Sequence, residues 1–234
     1  MEREHWKQLY ALAERLGKSL QDRGRYTTAF IVGVFLWAAA HDRPVSWACK
    51  RENWPEDLRP RRLPSQSTMS RRLRCASTTD LLAAMEAAFQ EPSRENAVEI
   101  IDAKPLPVGG YSKDPDVRWG RAAGGSWKGY KFFAIWGTGA IPRAWKVAAM
   151  SVSEKRVARE LIPQLHGRGH LLGDSQYDVS YLYDLAAKQG YQLLAPRERP
   201  GTSLGHHYQS PHRLHAIQVM EGPQRKDILR QRNA

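Results

Sequence analysis

Cysteine is scarce: Cys49 and Cys75 are the only two in 234 residues. Two thiols exclude a disulfide scaffold and a four-cysteine zinc site, and a reduced, cytoplasmic setting is the default expectation. Both are expected to be small buried packing groups rather than nucleophiles. Long hydrophobic runs are missing as well. The most apolar stretch, Ala29 to Ala40, has twelve residues, whereas a bilayer needs about 20. A buried core helix is its expected use, and no membrane role is expected. The start, Met1-Glu2-Arg3-Glu4, is charged and has no following apolar stretch of the signal-peptide kind. Acid is in deficit: 24 Asp and Glu face 36 Lys and Arg, a formal charge of +12. Such an excess favours a polyanionic partner, nucleic acid first and an anionic membrane surface second. With 41% apolar and 26% charged residues the composition is otherwise that of a globular chain.

The periodicity divides the chain at about residues 91–95. Residues 1–95 read as helical. Trp6, Leu9, Leu12, Leu16 and Leu20 form one apolar face over His5 to Leu20. Thr27 or Thr28 can cap a helix through the apolar run. A short helix is expected at Val45 to Arg51, another from Gln66 to about Cys75 capped by Ser65, and a third from Asp80 to Gln90 capped by Thr78 or Thr79. Residues 96–234 alternate. Ala97 to Ile101 reads as a strand ending in Asp102, followed by a glycine-rich loop over Val108 to Ser126. Tyr130 to Trp136 and Arg143 to Met150 read as a hairpin. A helix opens at Ser153. His170 to Leu172 is a strand ending at Gly173-Asp174. A helix over Val179 to Gln189 has Asp178 as N-cap and Gly190 as C-cap. Tyr191 to Ala195 is the last strand, 196–215 a polar loop, and Ile217 to Ala234 helical with a break at Gly222-Pro223. A hairpin followed by alternating helices and strands predicts a mixed sheet flanked by helices, in an α/β fold preceded by an all-helical head.

Two aspartates, Asp102 and Asp174, stand at expected strand ends, where α/β sheets assemble their sites. Alone, each fits a residue that ends its strand and accepts backbone hydrogen bonds. Brought together, two carboxylates repel unless a cation lies between them. A hard divalent ion such as Mg²⁺ resolves that conflict and supports phosphodiester chemistry. The spacing leaves both readings open.

Ile100-Ile101-Asp102-Ala103-Lys104-Pro105-Leu106-Pro107 resembles the first-aspartate motif of bacterial insertion-sequence transposases of the DDE type. Trp127-Lys128-Gly129-Tyr130-Lys131-Phe132 is similar to the strand that follows it in that family. Leu172-Gly173-Asp174-Ser175-Gln176-Tyr177-Asp178 resembles the second-aspartate motif. The resemblance implies an RNase H-like catalytic domain over 96–234, with Asp102 and Asp174 as catalytic metal ligands. It further implies Mg²⁺ or Mn²⁺ as cofactor, and cutting and joining of double-stranded DNA at mobile-element ends, without a small-molecule substrate. A homodimer on paired ends is expected by the same analogy. The family's third acid is a Glu four residues after an Arg, with a Tyr three residues before that Arg. Aligning Arg232 with that Arg puts Leu229 at the Tyr position and the glutamate two residues past Ala234. The expectation is therefore a chain that stops short of its third ligand, with Glu221 and Asp227 as in-chain substitutes. The alternative to an active transposase is a catalytically incomplete DNA-binding fragment that occupies element ends.

The basic charge of the head is concentrated. Residues 43–74 carry nine Lys or Arg against three acids. Gln66, Ser67, Thr68, Ser70, Arg71, Arg72 and Arg74 share one short helix whose small polar groups and arginines suit a major groove, and the helix at Val45 to Arg51 would complete a helix-turn-helix. A solvated basic helix is the plainer reading. Lys104, Arg118, Arg121, Lys128 and Lys131 flank the first aspartate as candidate phosphate contacts. Trp119, Trp127 and Tyr130 are expected to pack within their strands, base stacking being the alternative. His206, His207, His212 and His215 fit no standard zinc spacing and are expected to be a surface loop.

Overall fold

The structure, a computed structural model, describes residues 2–20, 24–90, 97–110, 112–122, 124–139 and 141–233. The chain divides into two compact units, Met1–Phe89 and Gln90–Ala234. The linker expected at 91–95 lies outside the described residues.

The first unit holds α1 (Glu2–Gly17), α2 (Thr28–Ala40), α3 (Val45–Ala48), α4 (Gln66–Arg72) and α5 (Ala76–Phe89). The apolar run forms α2, buried on nearly every side because it is the central helix. Thr27 caps it, its hydroxyl accepting from the Phe30 amide at 3.1 Å. Gly33 permits the packing of α1 on α2: a Cβ there would stand 2.5 Å from the Tyr10 ring. Three indoles close the core. Trp37 stacks on Trp54 at 4.7 Å and Trp6 meets both edge-on. Each indole N–H donates to a backbone carbonyl, those of Gly33, Asn53 and Ala48 for Trp6, Trp37 and Trp54. A buried indole thereby leaves no donor unsatisfied.

Two expectations for this unit are corrected. Helix α5 begins at Ala76, not Asp80; Thr78 lies inside it, buried, and donates to the Arg72 carbonyl at 2.8 Å. Helices α3 and α4 touch, but the short turn expected between them in a helix-turn-helix is not there. Residues 49–65 separate them and include two 3-10 turns, Arg51–Asn53 and Glu56–Leu58, whereas that motif needs a turn of about three or four residues. The tight turn here is 73–75, between α4 and α5.

The second unit is a mixed sheet with helices on it. Its strands are β1 (Ala97–Pro107), β2 (Arg118–Ala122), β3 (Gly125–Trp136), β4 (Ala144–Ala149), β5 (Gly169–Leu172) and β6 (Tyr191–Leu194); its helices are α6 (Glu154–Leu161), α7 (Ser180–Lys188), α8 (Pro211–Glu221) and α9 (Arg225–Asn233). The order is β2-β3-β1-β5-β6, with β4 also on β3. Strands β1, β3 and β4 are antiparallel, while β1, β5 and β6 are parallel. An antiparallel meander continued by two parallel strands agrees with the expected RNase H-like fold. One face of the sheet buries Ile101, Phe133, Ile135, Leu171 and Leu193 in a core with Val157 and Leu161 of α6 and Leu182 and Ala186 of α7.

Several boundaries move. Strand β1 does not end at Asp102 but runs to Pro107, because its antiparallel ladder with β3 extends from Ile100–Trp136 to Pro107–Gly129. The expected glycine-rich loop contains β2 and the start of β3. Ser153 precedes α6 without a side-chain cap. Asp178 is not the N-cap of α7; that position is Val179. The loop expected to reach 215 ends at Ser210, whose hydroxyl caps α8 by accepting from the His212 and Arg213 amides.

Candidate active site

The parallel pairing of β1 with β5 ends at Ile100–Leu172. Asp102 and Asp174 each stand two residues beyond that pair. Strand alternation returns a side chain to the same face every second residue, and paired strands lie about 4.8 Å apart. Asp102 lies on β1, and Asp174 lies two residues past the end of the neighbouring strand β5. Asp102 is exposed and pairs through its backbone with Ala134 on β3. Asp174 caps a 3-10 turn (Ser175–Tyr177), its Oδ1 accepting from the Gln176 amide at 2.8 Å.

Tyr177 is close enough to both acids for their charges to act on its hydroxyl. It is 1% exposed, and its ring fills the space over Gly173, where a Cβ would stand 2.9 Å from the ring. Its hydroxyl is buried without a hydrogen-bond partner among the described residues. Burial first, then the charges of Glu154, Asp174 and Asp102, push its pKa well above the ordinary phenol value, and Arg232 pulls it back. One hydroxyl therefore senses three carboxylates and one guanidinium. Glu154 was not a sequence candidate. It opens α6, and its partner is Lys131 on β3, Nζ to Oε1 at 3.0 Å. No local pattern marks it, since the register of β3 and the docking of α6 bring it there.

Asp178, from the second-aspartate motif, has a different task. Arg213 of α8 grips it with two nitrogens, and the Tyr183 hydroxyl and Glu198 amide also donate to it. Burial raises its pKa, but these donors outweigh burial and hold it below the usual carboxylate range.

The other candidates are distributed as follows. Lys104 is exposed on the same face of β1 as Asp102. Lys131 is engaged with Glu154, and Lys128 donates to the Ser112 carbonyl at 2.8 Å. Arg118 donates to the Pro115 and Val117 carbonyls. Glu221 pairs with Arg197 at 3.4 Å, and Asp227 is exposed in the first turn of α9. Among the described residues no three His, Cys, Asp or Glu side chains form a metal-binding group, so neither acid completes one with Asp102 and Asp174. The histidines His206, His207, His212 and His215 are exposed, the last two on α8. Trp119 and Trp127 do not pack in the sheet as expected but are 62% and 47% exposed. Tyr130 donates to Asp114 at 2.6 Å, a bond that raises the phenol to about 12.

In the head, Gln66, Ser67, Ser70, Arg71 and Arg74 of the α4 region face outward. Thr68 shares a hydrogen bond with the capping hydroxyl of Ser65. Arg74 folds back on Ser70, donating to its carbonyl and hydroxyl. Arg72 turns inward, donating to the Tyr26 carbonyl and the Thr28 hydroxyl, both at 3.1 Å. It is a structural anchor rather than an outward contact. Cys49 and Cys75 are half-buried rather than fully buried, and burial pushes the Cys49 thiol up, which opposes nucleophilic use. No described helix is long and apolar enough to cross a membrane.

The family model described as a transposase DDE domain matches residues 95–234, more than half of the chain. No curated protein and no solved structure matches the chain.

Proposed function

Because the chain belongs to the DDE transposase family, we propose that it binds the ends of a mobile DNA element and cuts and joins them, with Asp102 and Asp174 as the catalytic pair. The single observation that carries this reading is their placement two residues past the paired Ile100 and Leu172.

The donor set fits a hard divalent cation. Asp102 and Asp174 offer carboxylate oxygens from β1 and from the turn that follows β5, and Mg²⁺ takes few protein oxygens and completes its shell with water and substrate phosphate. When bound there, Mg²⁺ or Mn²⁺ supplies activation of an attacking oxygen and stabilisation of the leaving one. The chain's own residues do the rest. Asp102 and Asp174 hold the cation. Lys104, two residues along the same face, meets the phosphate of the strand to be cut. The Lys131–Glu154 pair holds α6 against β3 on the sheet face opposite Asp102. In the head, Gln66, Ser67, Ser70, Arg71 and Arg74 meet the duplex, chiefly through phosphates. Two copies, one at each element end, are the expected assembly, and the DNA substrate puts the working chain in the cytoplasm.

The test is a nicking and strand-transfer assay on element-end duplex with Mg²⁺ or Mn²⁺, comparing the chain with Asp102→Asn and Asp174→Asn. Metal-dependent cleavage lost in both variants, with binding retained, is the expected result. Cleavage that survives either substitution overturns the catalytic assignment. End binding without cleavage in the unaltered chain assigns it instead to the role of a non-catalytic occupant of element ends.

A further inference from the structure

Strand β3 outruns two of its neighbours at one end. Its ladder with β1 closes at Pro107–Gly129 and its ladder with β4 at Tyr130–Ala149. From Lys128 back to Gly125 its ladder partner is β2, through Trp119–Lys128, Gly120–Trp127, Arg121–Ser126 and Ala122–Gly125. This two-stranded ribbon runs about 13 Å past the ends of those two ladders. Its base is braced. The Met150 amide donates to the Gly129 carbonyl and the Val108 amide to the Lys128 carbonyl, both at 2.9 Å. A Cβ on Gly120 would collide with the Met150 carbonyl, so the chain after β4 packs directly on the ribbon backbone. The bonds of Lys128 to Ser112 and of Tyr130 to Asp114 tie the segment before β2 to β3. The ribbon therefore points in a fixed direction.

Its composition says what binds. Cross-strand partners share a face, so Trp119, Arg121 and Lys128 belong to one face of the ribbon and Trp127 to the other. Both indoles are exposed, as are Arg118 and Arg121. No Asp or Glu occurs from Val117 to Ser153, a span with Arg118, Arg121, Lys128, Lys131, Arg143 and Lys146. A second copy of the ribbon would meet it with like charge, which is costly. A polyanion is the complementary partner. Size selects its form. The major groove of duplex DNA, about 12 Å wide, admits a two-stranded ribbon, whereas the minor groove is about 6 Å wide.

We propose that this ribbon is a second duplex-binding element, carried by the catalytic unit itself. It enters the major groove, with Trp119 and Trp127 against base edges and Arg121 on the phosphate backbone. This rests on the transposase reading and adds to it the place and the groove of a further contact. The ribbon has no Asn or Gln to pair with adenine, so its grip is tolerant of sequence. Its base at Gly129 faces Pro107, five residues along β1 from Asp102 and so about 17 Å away. That is about half a helical turn of duplex, so one DNA can meet both.

The test measures binding of the full chain, by fluorescence anisotropy, to a duplex of arbitrary sequence and about three helical turns. A second duplex carries glucosylated hydroxymethylcytosine, whose sugars fill the major groove. Arg121→Gln should weaken binding to the plain duplex about tenfold and lower the salt slope by about 1. Arg121→Lys should keep most of the affinity. Trp119→Ala and Trp127→Ala should each weaken binding about tenfold, the order of one base-edge contact, and leave the slope unchanged. The unaltered chain should bind the glucosylated duplex more weakly than the plain one, and the tryptophan variants should show a smaller difference. All these side chains are exposed, so melting temperatures should not move. Variants that bind the plain duplex like the parent overturn the proposal, as does equal affinity of the parent for the two duplexes. So does Trp119→Ala splitting a dimer by sedimentation with DNA affinity intact, since the ribbon then joins two copies of the chain. Failure of the unaltered chain to bind either duplex overturns the transposase reading itself, and the proposal with it.

Discussion

Arg213 holds Asp178 through two parallel hydrogen bonds, Nε to Oδ1 and Nη2 to Oδ2, both at 2.7 Å. The Asp178 side chain is 2% exposed and that of Arg213 14%. The pair ties α8 to the turn that follows Asp174, so the acid next to the candidate site is a structural clamp. Removing one partner of a buried pair leaves the other charge without compensation, at a cost of about 3 kcal/mol. Asp178→Asn should therefore destabilise the second unit by about that amount at neutral pH, measured by urea unfolding. The folded pKa is lowered, so the clamp's contribution is present above the unfolded value and lost as pH falls through the folded one. The gap between variant and parent should narrow below about pH 4. An equal gap at acid and neutral pH would show that Asp178 acts through shape and not charge.

Neighbouring arginines in α4 should separate cleanly. Arg71 is exposed and Arg72 is anchored to Tyr26 and Thr28. Arg71→Ala should weaken DNA binding and lower its salt slope by about 1, with an unchanged melting temperature. Arg72→Ala should lower the stability of the head by about 2 kcal/mol, the scale of charge-assisted hydrogen bonds lost from a partly buried site. Calorimetry with a salt titration checks both. An Arg72→Ala chain that melts like the parent but loses DNA would return Arg72 to the contact surface.

Tyr177 and Gly173 make a tight pair next to Asp174. A methyl at Gly173 would stand 2.9 Å from the Tyr177 ring, so Gly173→Ala must displace that ring and should cost about 1–3 kcal/mol. Tyr177→Phe removes a buried hydroxyl that has no partner among the described residues. Relief of that unsatisfied group should leave the melting temperature equal or higher. A clear drop on Tyr177→Phe would mean that the hydroxyl makes a hydrogen bond in solution.

Much of this was readable from the residues alone. The apolar run at Ala29 to Ala40 specified a core helix because nothing else so short and so apolar is stable in water. Ser65 and Thr27 stand where caps are needed, and both accept the expected amide. The motif around Asp102 and the strand before Asp174 marked one acid on β1 and the other just past β5, and the family those motifs resemble is the one whose domain matches residues 95–234. These are local signals, carried by periodicity, capping and short motifs.

What the sequence did not contain is pairing. β1 extends past Asp102 because β3 offers it a ladder to Pro107, and no residue near Asp102 announces that partner. Asp178 has the composition of an N-cap but is claimed by Arg213, 35 residues later. Arg71 and Arg72 are chemically identical neighbours, and only helix phase against α2 sends one outward and one inward. Trp119 and Trp127 look like core residues by type. Their exposure follows from how far β3 runs past its ladders with β1 and β4. Chain-local physics set the elements and the chemistry they carry; long-range packing, where each donor or apolar face takes the partner that geometry leaves to it, decided which residues work together.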